Sequence, residues 1–239
     1  MTTPLYLNDA YQTNAEGIVT EITEQGGIIL DQSLFYATSG GQPGDCGTLI
    51  WDDLEIEIKT TIKGEGGSIV LIPNEEATRP MIGQVVTQKI NWDIRYAHMR
   101  MHTALHLLSV VIPLPVTGGA ITAVKGRLDF DMPEAIDDKD ATTEMLNTII
   151  ARNFDITESW ISDAELDANP GLVKTLSVQP PRGAGRIRLV RIGDANEQVD
   201  LQPCGGTHVA KTDEIGRVAI SKVGKKGKQN RRVHLVFQN

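Results

Sequence analysis

Turn residues divide the first 90 residues of the chain into short segments that are rich in β-branched side chains. Each segment has the length of a strand, and Gly, Pro, Asp or Asn separates it from the next one. Evenly spaced short strands of this kind are typical of a small barrel or sandwich. The segments are GIVTEI, GGIILDQSLFY, CGTLIW, LEIEIKTTIKG, GSIVLIP and GQVVTQKI. The sequence therefore predicts an N-terminal β-barrel-like domain, which we expect to span residues 1–92.

A change of pattern after Asn91 indicates a helix of about five turns, WDIRYAHMRMHTALHLLSVVIP, that ends at Pro113. At about 100° per residue, one stripe of this helix is apolar and contains Ile94, Met101, Leu105, Leu108 and Ile112. A second line beside it contains His98, His102 and His106. We expect the apolar stripe to bury the helix and the histidine line to lie at the edge of the core.

The remainder of the chain mixes strand and helix patterns. GAITAVKGRLDFDM and GRIRLVRIG indicate strands, and DDKDATTEMLNTIIARNF indicates a helix with acids in its first turn. GRVAISKVGKKGKQNRRVHLVF indicates a hairpin with a long turn rich in Gly and Lys. We expect an α+β domain over residues 93–239, with helices packed on an antiparallel sheet.

Composition narrows the class of protein. Hydrophobic residues make up 40% of the chain and charged residues 23%, which is ordinary for a globular protein. No apolar run reaches 18 residues and the N-terminus lacks the pattern of a secretion signal, so we expect no membrane association. Two cysteines do not form a disulfide framework, and a reducing cytoplasm is the expected location.

The basic residues are concentrated in two stretches, although the net charge of the chain is −8. Arg182–Arg191 holds four arginines and no acid, and Arg217–Arg232 holds seven basic residues and no acid. These stretches account for 11 of the 23 cations, which leaves 12 cations against 31 acids elsewhere. A basic surface on an acidic body is compatible with a nucleic-acid partner, and solvated strands and turns would give the same pattern.

Two pairs of side chains indicate a metal site. His102 and His106 are four residues apart on the predicted helix, so they share one face. Cys204 and His208 flank two glycines and a threonine, which suit a turn. Three imidazoles and a thiolate match the donors that zinc prefers. Four of the seven Cys and His residues of the chain lie in these pairs, and the sequence therefore predicts zinc.

The chemistry of such a site has two possible forms. The helix lacks the Glu that follows the first His in zinc proteases, because Thr103 stands there, so this route to peptide hydrolysis is not supported. Four protein donors are usual for a structural zinc, whereas a catalytic zinc keeps a position open. Spacing alone leaves both forms open.

Several motifs then resemble one family. HTALHLL, followed about 100 residues later by CGGTHV, resembles the motif pair of the alanyl-tRNA editing domain, which occurs within alanyl-tRNA synthetases and in free-standing editing proteins of the AlaX kind. FYATSGGQPGDCG resembles the glycine-rich motif of the N-terminal domain of that family, and RLDFD and KGKQNRR also have counterparts there. The motifs occur in the family's order and cover most of the chain.

The resemblance implies a hydrolase that removes serine or glycine wrongly attached to alanine tRNA. It implies catalysis through a zinc ion held by His102, His106, Cys204 and His208. It also implies no aminoacylation and no ATP site, because the length resembles editing proteins that lack the synthetase body. Zinc would act on the aminoacyl ester carbonyl or on water; we name no protein general base.

A mischarged tRNA substrate suggests further site residues. Gln42, Thr103 and Thr207 are candidate contacts for the amino acid, and Cys46 is not expected to bind metal. The candidate tRNA contacts are Arg186, Arg188, Lys225, Lys226, Lys228, Arg231 and Arg232. The two alternatives are a zinc hydrolase of a small ester or amide and a non-catalytic tRNA-binding module with a structural zinc. Deacylation of charged tRNA with and without chelator separates the three.

Overall fold

A computed structural model describes residues 1–74, 78–134, 136, 138–175 and 185–238 of the chain. Arg182, at the start of the first basic stretch, lies outside these residues. The chain forms two compact units, Met1–Ala97 and His98–Asn239.

The N-terminal unit contains a closed barrel whose paired strands are antiparallel. In the described part of the unit the order around the barrel is β2-β3-β7-β6-β5-β8, and β1 and β4 pair separately in parallel. The predicted barrel is confirmed. The strands are β1 (Thr3–Pro4), β2 (Asn14–Ile22), β3 (Ile28–Leu30), β4 (Gln32–Ser33), β5 (Gly47–Trp51), β6 (Leu54–Lys63), β7 (Ile69–Pro73) and β8 (Val85–Ile90).

Alternation along the strands fills the barrel. In β8, Val86, Gln88 and Ile90 are buried, while the residues between them are exposed, as expected for side chains that point to opposite faces of a strand. Leu30 and Leu49 from other strands join the same core with no exposed surface. Burial of each such aliphatic side chain stabilises the fold by about 1.5–3 kcal/mol.

A buried ion pair holds the glycine-rich segment in this unit. Arg95 is fully buried, and its Nε donates to both oxygens of Asp45 at 3.0 and 2.9 Å. Asp45 also accepts the backbone N–H of Tyr36 at 2.6 Å. Gly44 is required by close backbone approach, because a Cβ there would lie 2.0 Å from the carbonyl oxygen of Thr61. Gly44 therefore serves tight packing, whereas Gly40 and Gly41 have positive φ, which glycine adopts without strain.

The C-terminal unit is α+β, as the sequence predicts. Among its described residues, one sheet has the order β14-β15-β10-β9 and another has the order β11-β12-β13, both with antiparallel pairing. The elements from the first helix onward are α1 (Trp92–Val111), β9 (Val116–Ile121), β10 (Lys125–Asp131), α2 (Lys139–Ala151), β11 (Asp155–Ile161), α3 (Asp163–Ala168), β12 (Ile187–Gly193), β13 (Gln198–Pro203), β14 (Val218–Lys226) and β15 (Asn230–Phe237).

Helix α1 belongs to both units, since the boundary between them falls at Ala97. Its burial differs from the expected single stripe. Every residue from 103 to 109 is buried, whereas Ile94 is only partly buried. Ala104 and Leu107 lie off the predicted stripe and are apolar, but the polar residues Thr103, His106 and Ser109 are buried as well, so the surroundings of the helix decide this burial.

Helix α2 is fixed to the edge strand β14. Asp138 caps the helix by accepting the N–H groups of its first turn. Asn147, one of the buried residues of α2, donates to the carbonyl of Val218 at 2.9 Å and accepts its N–H at 3.0 Å. These bonds satisfy the backbone groups of Val218, the buried first residue of β14.

Two features of this unit depart from the sequence analysis. The turn between β14 and β15 covers only residues 227–229, so most of the Lys-rich segment is strand and the expected long turn is wrong. Strands β11 and β13 were not predicted, because DITESWI and QVDLQP contain few apolar residues.

Candidate metal centre

Helix α1 supplies two of the four predicted ligands. His102 and His106 lie one turn apart, and their ring centroids are 5.2 Å apart. His106 is buried, whereas His102 keeps part of its surface exposed. Helical spacing alone produces this arrangement.

The loop after β13 supplies the other two. The backbone N–H of Cys204 donates to the carbonyl of Arg188 at 3.1 Å, so the loop begins as a continuation of the β12–β13 pair. The guanidinium of Arg188 then donates to the carbonyls of Cys204 and Gly206 at 2.9 and 2.8 Å. These bonds fix the loop so that His208 points back toward α1.

The four side chains converge. One potential ligand atom from each of His102, His106, Cys204 and His208 lies within 4.8 Å of those of the others. The Cys204 sulfur lies 3.5 Å from His102 Nε2 and 3.3 Å from His208 Nε2. This cluster could hold a metal ion. Cys46 is not a member of it.

Asp200 orients His106. Its Oδ2 lies 3.1 Å from His106 Nδ1, and its Oδ1 accepts the Lys174 ammonium at 2.5 Å. Gln202 donates to Asp200 Oδ2 at 2.7 Å. Because a carboxylate only accepts hydrogen bonds, His106 carries its proton on Nδ1 and presents Nε2 to the cluster. Carboxylates commonly orient metal-binding histidines in this way.

Thr103 orients His208 by the same logic. Its hydroxyl donates to the Met99 carbonyl at 2.9 Å, which uses its single hydrogen. His208 Nδ1, 3.1 Å from the same hydroxyl, must therefore be the donor. Its Nε2 is left with a free electron pair that faces Cys204.

The charges favour a cation at the centre. Burial raises the pKa of the Cys204 thiol, but His102 and His208 outweigh it and hold that pKa well below the ordinary value, so the sulfur is a thiolate. Burial and His102 lower the pKa of His208 to about 3. Burial also lowers the pKa of His106, but the bonds to Asp200 and Cys204 raise it to about 9.

Asp200 remains ionised. Burial raises its pKa, but the hydrogen bond with His106 and the charge of Lys174 lower it to about 2. The Cys204 thiolate and the Asp200 carboxylate thus place two negative charges at the cluster, and His208 is neutral beside them, which suits a divalent cation.

The remaining predicted residues lie in several places. Thr207 is buried beside His208, and Gln42 is buried in the N-terminal unit. Arg188 is also buried; it pairs with Glu158 in addition to the loop carbonyls. Arg231 donates to the carbonyls of Asn230 and Pro133. Buried guanidiniums do not reach phosphates, so we leave both arginines out of the RNA surface proposed below.

The other cations are accessible. Arg186, Lys225, Lys226 and Lys228 are exposed, and Arg232 is half-buried in an ion pair with Asp129.

The sequence analysis missed Asp200, Lys174 and Gln202. One signal was available for two of them: Asp200, Gln202 and Cys204 alternate along a strand and therefore share a face. Two polar residues on the face that ends in a candidate ligand indicate supporting groups. Lys174 carries no such signal.

Two family models match this chain. The model of the threonyl and alanyl tRNA synthetase second additional domain matches residues 187–234. The model of class II (A) tRNA synthetases matches residues 8–94. The fold and the cluster thus define a class of proteins built from domains related to tRNA synthetases, with a possible metal site.

Relatives narrow this class. The alanyl-tRNA editing protein AlaX-M of Methanosarcina acetivorans is 36% identical, and the match covers 99% of both chains. AlaX-M of Pyrococcus horikoshii is 31% identical over 98% of this chain and 97% of its own. The alanine–tRNA ligase of Pyrobaculum aerophilum is 33% identical over 93% of this chain but only 25% of its own. The chain belongs to the family of alanyl-tRNA editing proteins of the AlaX-M kind.

Within the described residues, no helix is long and apolar enough to span a membrane.

Proposed function

We propose that this protein is a trans-editing hydrolase that removes serine or glycine from mischarged alanine tRNA by zinc-dependent hydrolysis of the aminoacyl ester. The observation that carries the proposal is the exposure of the cluster: His102 and Cys204 keep accessible surface, while His106 and His208 are buried. A substrate ester can therefore approach the cluster from one side. The names of the relatives, alanyl-tRNA editing proteins, support the substrate.

Zinc is the metal that the donors fit. Donors about 2.0–2.3 Å from a tetrahedral zinc ion lie about 3.3–3.7 Å from one another. The sulfur-to-nitrogen distances of 3.5 and 3.3 Å are in this range. Three imidazoles with a thiolate match the preference of zinc for nitrogen and sulfur. When bound, zinc would supply the Lewis acidity that activates an ester toward water.

The residues of the chain have separate tasks in this proposal. His102, His106, Cys204 and His208 hold the ion. Asp200 and Thr103 hold the Nδ1 protons of His106 and His208, so that each ring presents its Nε2 to the ion. Because the pKa of His106 is raised to about 9 and that of His208 is lowered to about 3, His106 gives up its Nε2 proton when the ion enters, whereas His208 has none to lose there. Gln42, Thr103 and Thr207 stay proposed contacts for the amino acid; the bonds of Thr103 to Met99 and His208 favour the orienting role for it.

The tRNA would be held by its phosphates. Arg186, Lys225, Lys226, Lys228 and Arg232 are the accessible cations that we propose as contacts, in competition with salt. A tRNA substrate would also locate the activity in the cytoplasm.

The decisive experiment is deacylation of alanine tRNA charged with serine, glycine or alanine. We expect loss of serine or glycine but not alanine, abolition by chelator, and restoration by zinc. In His106→Ala we expect both bound metal and activity to be lost, while His234→Ala, in strand β15, should keep both. Full activity in protein shown to be free of metal would refute the mechanism.

A second function has one observation in its favour. The four protein donors are the usual complement of a closed structural zinc. A tRNA-binding module without catalysis would bind alanine tRNA, lose its fold with chelator, and leave the ester intact in the same experiment.

A further inference from the structure

The sheet β14-β15-β10-β9 has two chemically different faces. Leu128, Phe130, Val233 and Leu235 are buried on one face. Gly126 lies on that face as well, since a Cβ there would lie 2.8 Å from the Met101 side chain. Because side chains alternate along a strand, the residues between these positions point to the other face.

That other face is basic. Its described positions hold five cations and two acids, Asp129 and Asp131, which gives 5 − 2 = +3 with His234 neutral. The whole chain has a net charge of −8, so this concentration is not a general property of the surface. We call these five residues the basic face: Lys125, Arg127, Lys222, Lys226 and Arg232.

Asp129 organises the centre of this face. Its side chain is 1% exposed and accepts Arg127 Nη1 at 2.9 Å, Lys226 Nζ at 2.6 Å and Arg232 Nε at 2.7 Å. One buried carboxylate thus fixes three cations, whose own side chains remain 30–47% exposed. Since each cation has more donors than Asp129 accepts from it, donors remain for a ligand.

The positive charge of this face affects the pKa of His234. Partial burial lowers the pKa of His234, and so do the charges of Arg232, Lys222, Arg127 and Lys125. His234 is paired across the strands with Arg127 and with Lys222. The four cations therefore act together on one position of the face, the His234 ring.

The shape of the face selects among polyanions. From Lys125 to Asp131 it extends over six residue steps, about 20 Å along the strands, and four strands make it about 14 Å wide. A duplex carries roughly one negative charge per 1.7 Å of its axis, so many phosphates can meet such a face. The outward positions of the described strands hold no Phe, Tyr or Trp, and single strands are usually bound by stacking on aromatic side chains.

We propose that the basic face binds the phosphate backbone of an RNA duplex and so holds the helical stem of the tRNA. This inference rests on the proposed function for the identity of the RNA. It adds Lys125, Arg127 and Lys222 to the proposed contacts. The binding surface thus extends from the tip of the β14–β15 hairpin onto the basic face of the sheet.

The test uses Lys125→Gln/Lys222→Gln, because neither lysine bonds to Asp129 and the network is left intact. The control is Lys63→Gln/Lys139→Gln, which removes two exposed lysines from other elements. Binding of uncharged alanine tRNA and of a short RNA hairpin is measured by fluorescence anisotropy at several salt concentrations, with the full chain. Zinc content and circular dichroism confirm that each variant is intact.

We expect duplex binding to weaken about eightfold at 0.1 M salt for each phosphate-binding lysine that is neutralised, so by about 60-fold in the double variant. The slope of log K against log salt should become less steep by about two. The control should bind as the wild type does. A single-stranded RNA of equal length should bind more weakly, and the two lysine substitutions should change its affinity little.

Equal affinity and slope in the two double variants would overturn the proposal, as would a single strand that binds as tightly as the duplex. The binding measurement uses RNA that carries no amino acid, so its result does not depend on the proposed deacylase activity. If the protein fails to deacylate tRNA but still binds the duplex through these lysines, the proposed hydrolase activity is refuted and the proposed RNA-binding surface is supported.

Discussion

Replacing Asp200 by Asn tests whether this carboxylate prepares His106 to bind a metal ion. The carboxylate accepts from three groups: His106 Nδ1 at 3.1 Å, Lys174 Nζ at 2.5 Å and Gln202 Nε2 at 2.7 Å. Asn keeps the shape of the side chain but removes the charge and turns one acceptor into a donor. At least one of the three groups then faces another donor.

The expected loss of zinc affinity is 10–100-fold, the range for groups that orient a metal ligand, which corresponds to about 1.4–2.7 kcal/mol. Asp200→Ala should cost more, because it removes both acceptor oxygens, whereas Asn keeps one. In Lys174→Met the bond between Asp200 and His106 is kept, so the loss of affinity should be smaller than in Asp200→Asn. The matched control is Asp53→Asn, at an exposed position of the N-terminal unit.

Zinc affinity is measured by competition with a chromophoric chelator, and deacylation is measured at saturating zinc. We expect Asp200→Asn to recover much of its activity as zinc is raised, because its four donors are intact. A folded Asp200→Asn protein that binds zinc within twofold of the wild type would refute the role given to this carboxylate.

Three further predictions concern stability. Arg95→Met leaves Asp45 as a buried, unpaired carboxylate, so urea denaturation should show a loss of about 3–5 kcal/mol from the transition of the N-terminal unit; a loss below about 1 kcal/mol would contradict the assigned ion pair. Gly126→Ala introduces a methyl group 2.8 Å from Met101 and should destabilise the protein by about 1–3 kcal/mol through overpacking, which thermal denaturation will detect. Burial raises the pKa of Asp129, but Arg232 and Lys226 outweigh it and hold that pKa well below the ordinary value. The ionised carboxylate therefore contributes fully to the free energy of unfolding above about pH 4, and this contribution is lost as the pH falls toward the folded-state pKa. The difference in urea midpoint between wild type and Asp129→Asn should therefore be smaller at about pH 3 than at about pH 7. The same difference at both pH values would argue against the ion pairs.

The predictable parts of this molecule are those in which local pattern and tertiary role agree. From Glu55 to Lys59, strand β6 alternates in sequence and in burial, and His102 and His106 share a helix face whatever surrounds them. In these places the spacing of side chains is enough to predict the structure.

Other parts depend on partners that spacing does not reveal. Strand β13 has few apolar residues and forms because β12 pairs with it, so neither the strand nor the role of Asp200 was predicted. The burial of every residue from 103 to 109 of α1 is decided by what packs around the helix. Arg188 was predicted as an RNA contact from local charge, yet the carbonyls of Cys204 and Gly206 engage its guanidinium inside the protein.

The position of the cluster along the chain has a consequence for the lifetime of the protein. His106 and Cys204 are 98 residues apart (204 − 106), so a shared ion would close a long loop as a cross-link does, and such closures restrict the unfolded chain strongly. The free energy of unfolding would then rise with the concentration of free zinc. In a cell starved of zinc, proteases would find the C-terminal unit open more often, so a shortage of the ion would lower the amount of the protein as well as its metal content.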